Sequence, residues 1–294
     1  MRIAHLILTH GDPEHLERLI KRLQHPNADF FIHVDLKTRI DPFLHLERLG
    51  QVFFIHHRMN VIWGGFSIVE ATLKGFDAIL ETHKQYDYIN LLSGQDYPLK
   101  DVEDIHEFLE KNPGKVFTEY LSVEEEWKEA IPRIRNYYFT NYPFPGSHFF
   151  EKLVSAILPT RKLPRKMKAY GRSQWFTMST LHANYISDYL LDFKEVINFF
   201  KYTWGSDEFF FQTLIFNSDY GSDMVNDNLR FIDWSEGKPS PKTFTIEDAE
   251  RLTNSGKLFG RKFNSKIDSK ILDYLDEQAA IAAANRPPKE EESE

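Results

Sequence analysis

Residues 3–23, IAHLILTHGDPEHLERLIKRL, decide the fold. The run Ile3 to Thr9 is apolar nearly throughout, as a strand buried on both faces requires. It stops at His10-Gly11, where Asp12 and then Pro13 supply an N-cap and a proline at the first helical position. Leu16, Leu19, Ile20 and Leu23 follow at i, i+3, i+4 and i+7, one face of a helix. A buried strand passed directly to an amphipathic helix is the opening of a β-α unit.

The same pattern recurs outward from there. Phe30-Phe31-Ile32-His33-Val34 reads as a second strand that stops at Asp35, Val52 to Ile55 as a third and Tyr88 to Leu92 as a fourth. Between the last two, Val69, Leu73, Phe76 and Leu80 share one side of a helix over about 67–82. Strands alternating with helices predict an α/β fold: a Rossmann-like half around a central, mostly parallel sheet. Ligands of such sheets gather at the carboxyl ends of the strands, beside the switch point. After Phe117-Thr118-Glu119-Tyr120 the regularity fades. Glu124-Glu125-Glu126-Trp127-Lys128 opens a helix or loop, and residues 158–168, with five Lys or Arg and two Pro, read as a mobile basic loop. Gln174 to Ser179 is strand-like, helices run to Phe200, and another starts near Asp207. The expected organisation is one domain over 1–285, with a nucleotide-binding half over about 1–117 and a catalytic half over about 118–285. Residues 286–294 have the composition of a disordered tail.

Composition removes several classes of function. A formal net charge of −8 argues against nucleic acid as a partner. With no cysteine, disulfides, thiol catalysis and Cys-ligated zinc are excluded. The N-terminal apolar run is too short for a secretory signal, and no stretch reaches the roughly 20 apolar residues of a membrane span. The expectation is therefore a soluble, cytoplasmic chain that meets a membrane only through its substrate or a partner. A Walker loop, a dinucleotide glycine fingerprint and a Gly-x-Ser-x-Gly elbow are missing from the sequence. The aromatic share of 15% supplies core volume and flat walls for a binding site.

Three polar groups can carry chemistry. Asp35, just past a buried strand and followed by Leu36-Lys37, is placed to bond a base or ribose, or simply to form a turn. Near the C-terminus Lys238, Lys242, Lys257, Arg261 and Lys262 are interleaved with apolar residues. They either snorkel at the surface or neutralise a bound diphosphate. No Asp-x-Asp exists to hold a divalent ion; the nearest imitation, Asp248-Ala249-Glu250, reads as a solvated helix face. His56 and His57, adjacent on an extended segment, point to opposite faces and do not easily share an ion. Asp207-Glu208 precede Phe209-Phe210-Phe211-Gln212-Thr213-Leu214. Asp207 as N-cap with Glu208 on the helix dipole is one reading. Glu208 as a desolvated general base is the other, and both can hold together.

Six segments taken in order strengthen the second reading. They are Ile32 to Lys37, Trp63-Gly64-Gly65-Phe66-Ser67, Tyr88 to Leu99 with its Leu-Ser-Gly-Gln-Asp-Tyr-Pro-Leu element, Gly171 to Phe176, Ser206-Asp207-Glu208-Phe209-Phe210, and Leu258 to Phe263. Together they resemble the family of the core-2/I-branching β-1,6-N-acetylglucosaminyltransferases and the peptide O-xylosyltransferases. That resemblance implies a GT-A-like fold, inversion at the sugar carbon, and no divalent metal or other cofactor. It implies a UDP-sugar donor and a glycan or glycoconjugate acceptor. The sugar is GlcNAc in β-1,6 linkage, with UDP-xylose the alternative donor. Glu208 is similar to the family's catalytic base. Lys262, with Lys242 and Arg261, takes the place of its diphosphate-binding cations. Val34 and Asp35 fall in the uridine pocket, with Asp96 either binding donor or bracing a loop. Glu119, Arg133, Arg135, Trp175 and Trp234 become acceptor contacts. The animal members carry a membrane anchor and many cysteines; this chain resembles a compact microbial version that builds a polysaccharide. Two rivals remain: a glycoside hydrolase with opposed carboxylates, and a carbohydrate-binding protein without turnover.

Overall fold

The computed structural model describes residues 1–142 and 144–287. Its strands, in chain order, are β1 (Ile3–Thr9), β2 (Ala28–Val34), β3 (Val52–Phe54), β4 (Tyr88–Ser93), β5 (Asp96–Pro98), β6 (Val116–Ser122), β7 (Tyr170–Ser179), β8 (Met224–Asn226), β9 (Arg230–Ile232) and β10 (Phe259–Arg261). Contacts group the chain into two compact units, the first made of 1–11, 27–93 and 112–228, the second of 12–26, 94–111 and 229–294. The boundary expected near 117 falls inside the first unit. Of the tail expected over 286–294, residues 288–294 lie outside the described residues.

The first unit is built on a seven-stranded sheet in the order β3-β2-β1-β4-β7-β6-β8. β1 pairs parallel to β2 on one side and to β4 on the other, and β2 pairs parallel to β3. The order therefore reverses at β1, so the switch point opens beyond Thr9, Val34 and Ser93. β7 runs antiparallel between β4 and β6, and β8 pairs parallel to β6. The class expected from the sequence, a mixed α/β fold with a central and mostly parallel sheet, is the one that forms. β2 and β4 are buried at every position, which is why each reads as a mostly apolar run, with buried polar exceptions such as Asp29, His33 and Asn90. The helix Ser67–Leu80 packs Phe76 against Phe176 and Phe211, with ring centroids 6.1 and 5.7 Å apart. Each such buried ring contributes about 2–3 kcal/mol of apolar transfer energy.

Two expectations fail in this unit. The 158–168 segment is not a loose basic loop, because Arg161 is 8% exposed and pins it. Its guanidinium donates to the carbonyls of Asn136 at 2.8 Å, Tyr202 at 2.6 Å and Phe199. The ring of Phe199 lies 4.0 Å from that guanidinium. Burial pushes the Arg161 pKa down to about 10. The helix expected near Asp207 begins only at Phe210, after a 3-10 turn Ser206–Glu208.

In the second unit β10 is central, antiparallel to β5 and parallel to β9. The helix Pro13–Leu23 takes its N-cap from the Asp12 side chain, as expected. Arg18 on that helix reaches Asp273 and Asp276 of the helix Lys270–Ala284 at 2.7 Å each. Tyr97 donates to the same Asp276 at 2.6 Å. Arg286 closes on Asp101 and Asp104 at 2.8 and 2.5 Å. Among the described residues no helix is long and apolar enough to cross a membrane.

Candidate active site

The first unit centres on the turn Ser206–Glu208, which lies against the start of β7. A Cβ on Gly171 would collide with the Glu208 carbonyl oxygen and sit 2.9 Å from the Phe209 Cα. Backbone cannot yield as a flexible side chain does, so only glycine allows the turn this close. Gly205, at φ +62, supplies the left-handed entry to the turn.

Arg133, from the short helix Ile131–Arg135, organises the surroundings. It donates to the Trp204 and Gly205 carbonyls, both at 3.1 Å, and to Glu208 Oε2 at 2.8 Å. Its guanidinium also lies 5.1, 4.6 and 4.5 Å from the ring centres of Trp127, Trp204 and Phe209. An aromatic collar of this kind orients a cation and keeps water from it. The Arg133 side chain is only 13% exposed, whereas that of Glu208 is 36% exposed. The result is a carboxylate held by one oxygen and open to solvent, able to take a proton from an incoming hydroxyl.

Asp207 behaves differently from its neighbour. It is not the helix cap expected from the sequence, since no side chain caps the helix Phe210–Phe216. Although part of the residue reaches solvent, its Oδ1 is sealed and has no hydrogen-bond partner. Burial, then the nearby Glu208 charge, push the Asp207 carboxyl up to about 7. The desolvation expected to act on the pair thus falls on Asp207.

The remaining candidates of this unit are spread along the sheet. Val34 ends β2 fully buried, and its carbonyl accepts from Arg58 Nε at 2.8 Å. Asp35 Oδ1 accepts the Lys37 backbone N–H at 2.9 Å, the turn-forming use of that side chain. Arg58 also donates to the Asp35 carbonyl at 2.8 Å and to that of Thr38. Beside it His33 Nε2 accepts the Met59 N–H at 2.8 Å, and burial pushes the imidazole down to about 4, so it stays neutral. Glu119 is exposed at the register shift between Thr118 and Tyr120. Trp175 is buried, its backbone bonded to Thr118 and Ser173. Arg135 lies 3.9 Å from Glu124 and lines a cavity of about 610 Å³ with Ile131, Ile134, Arg161 and Lys162.

The second unit holds the cation candidates, and their surroundings separate them. Arg261 stands opposite Asp96 in the β10–β5 register and pairs with it at 2.8 Å. Asp96 is fully buried, so the loop-bracing use of this aspartate is present. Lys242 is held by the buried Asp248 at 2.6 Å. Lys262 donates to Ser240 Oγ at 2.6 Å and, among the described residues, has no carboxylate in ion-pair range. Burial and then the adjacent Arg261 lower its pKa. Trp234 is 56% exposed.

Sequence reasoning does not single out Arg58, Trp127 or Trp204. Each acts through contacts with residues distant in sequence, and only the Trp63-Gly64-Gly65 segment, whose Gly64 lies against Trp204, hints at one of them.

A doubly wound sheet with an arginine-held carboxylate beside one of its strands belongs to the α/β proteins that carry their chemistry on loops. Residues 3–254 match the Core-2/I-Branching enzyme family, and the chain belongs to that family. The xylosyltransferase of Ciona intestinalis is 26% identical over 301 residues, covering 94% of this chain and 34% of that protein. Xylosyltransferase 2 of Canis lupus familiaris is 28% identical over 306 residues, covering 94% and 33%. The chain spans about a third of the length of these relatives. Among solved structures, mouse xyloside xylosyltransferase 1 in its apo form aligns with a TM-score of 0.39 and 11% identity, over 88% of this chain and 97% of that one.

Proposed function

We propose that the chain is an inverting glycosyltransferase that moves a sugar from a UDP donor to a hydroxyl of a glycan or glycoconjugate, without a divalent metal. Glu208 is the general base. It takes the acceptor proton as the hydroxyl oxygen bonds to the anomeric carbon, and the bond to UDP breaks with its electron pair leaving on the diphosphate. Arg133 fixes Oε2, which leaves Oε1 to receive the proton. Lys262 offsets the charge that grows on the leaving group, a role a bound ion would otherwise fill. The observation that carries this reading is the Glu208–Arg133 pair at 2.8 Å inside its aromatic collar. It fits membership of the Core-2/I-Branching enzyme family.

The test is Glu208→Gln, with UDP binding followed by calorimetry and transfer by UDP release. Binding persists, while kcat falls about 10²–10⁴-fold, the usual contribution of a general base. Transfer at the wild-type rate would remove Glu208 from the role. In excess EDTA the wild type keeps its full rate; a strict need for Mn2+ or Mg2+ would count against Lys262.

GlcNAc transfer in β-1,6 linkage is the reading drawn from the family's branching enzymes. The xylosyltransferase names of the relatives favour UDP-xylose as a second reading. Donor hydrolysis across UDP-GlcNAc, UDP-xylose, UDP-glucose and UDP-galactose separates the two.

A further inference from the structure

The helix Ser147–Ile157 of the first unit is built inside out. Glu151 and Ser155, four residues apart, turn inward: Glu151 Oε1 accepts the Phe139 N–H at 2.8 Å, and Ser155 Oγ accepts the Tyr137 N–H at 3.1 Å. Half a turn around the helix, Phe149, Leu153 and Ile157 are 73%, 44% and 71% exposed. Leu158 and Phe144, at 45% and 43% exposed, extend the same patch. An ordinary surface helix buries its apolar stripe and shows polar residues to water. Here those faces are exchanged, and a clustered apolar patch of this kind marks an interaction surface.

The charge next to the stripe says what covers it. Residues 152–168 contain six Lys or Arg and no Asp or Glu, in a chain whose net charge is −8. Arg161 is used up inside the fold, but Lys152, Lys162, Arg165, Lys166 and Lys168 are exposed. Arg165 and Lys166 sit in left-handed backbone, at φ +55 and +57, where side chains carry strain. The Arg165 guanidinium, 3.7 Å from the Phe193 ring centre, anchors that turn to the fold. Apolar side chains flanked by exposed cations match a surface that is apolar at depth and anionic at its rim. Two copies paired through this face would bring like charges together.

We propose that the helix Ser147–Ile157 and the basic segment after it dock the protein on an anionic lipid surface. Phe149, Leu153 and Ile157 enter the boundary of the acyl chains, and Lys162 and Lys166 lie among the headgroups. The rest of the chain is more acidic than the whole, so its net charge opposes an anionic surface and this segment favours it.

Flotation of the full chain with vesicles tests this. One set contains equal parts phosphatidylglycerol and phosphatidylcholine, the other phosphatidylcholine alone. The wild type floats with the anionic set, stays down with the neutral set, and is released by high salt. Phe149→Ser combined with Ile157→Ser abolishes flotation while the melting temperature holds, because both side chains are exposed. Lys162→Glu combined with Lys166→Glu weakens binding about thirtyfold. No flotation of the wild type, or equal binding to both sets, overturns the proposal. So does a dimer, seen by sedimentation, that the serine pair disperses.

Discussion

Asp207 and Glu208 are adjacent acids with opposite surroundings, and their difference is measurable. Asp207 has an unpartnered Oδ1, and its pKa rises from an ordinary 3.8 to about 7. Between those values the folded chain holds a proton that the unfolded chain has released. Folded stability therefore declines as pH rises through that window, and the loss levels off above about 7. Asp207→Asn mimics the protonated form and removes the effect. The melting temperature of Asp207→Asn should pull ahead of the wild type steadily from pH 4 to about 7, then run parallel to it. Parallel curves throughout would mean that Asp207 ionises like an exposed acid. The acid pair was legible in the sequence, but the division of roles within it was not. Capping and desolvation both place Asp and Glu before an apolar run, and only the late start of the helix at Phe210 separates them.

The elements themselves were easier to read than the way they meet. β1, β2 and β4 are visible in the sequence because strands covered on both faces need apolar residues at successive positions. The start of β7 at Tyr170 is less so, since Tyr170, Gly171 and Arg172 owe their strand state to pairing with Ser122, Leu121 and Tyr120. Gly171 is the informative residue of that stretch. Gly171→Ala would force the Ser206–Glu208 turn off the strand and carry Glu208 with it. The expected outcome is a loss of transfer far larger than any loss of UDP binding; unchanged kcat would show that the turn can relax. Arg161 makes a matching case. Five Lys or Arg between 158 and 168 look solvated in the sequence, because charge alone does not reveal that one of them is buried against carbonyls. Arg161→Met takes from the Asn136 carbonyl the guanidinium that bonds it and strips a second donor from the Tyr202 carbonyl, which keeps the Tyr138 N–H. The change should cost about 3 kcal/mol. It should also open residues 158–168 to limited proteolysis, which a gel would show.

At the scale of the whole molecule, sequence neighbours are not always unit neighbours. β1 belongs to the first unit and the helix that follows it to the second, so the opening β-α pattern yields the right elements without their partners. The same limit applies to the cations, which are indistinguishable as interleaved lysines and arginines until their counter-ions are known. Asp96 claims Arg261 and Asp248 claims Lys242, so these two are spent within the second unit. Lys262 Nζ donates to the Ser240 hydroxyl and, among the described residues, meets no carboxylate, so it is the cation the proposed mechanism assigns to the leaving group. The two lysines should therefore fail in different ways. Lys242→Ala strips a counter-charge from Asp248, 3% exposed, and should lower the melting temperature while kcat of the folded fraction stays near that of the wild type. Lys262→Ala should melt as the wild type does but lose about 10²–10³ in kcat, as when one electrostatic donor is taken from a developing anion. The pattern with the roles exchanged, a folded but inactive Lys242→Ala and an active Lys262→Ala, would move the leaving-group cation to Lys242.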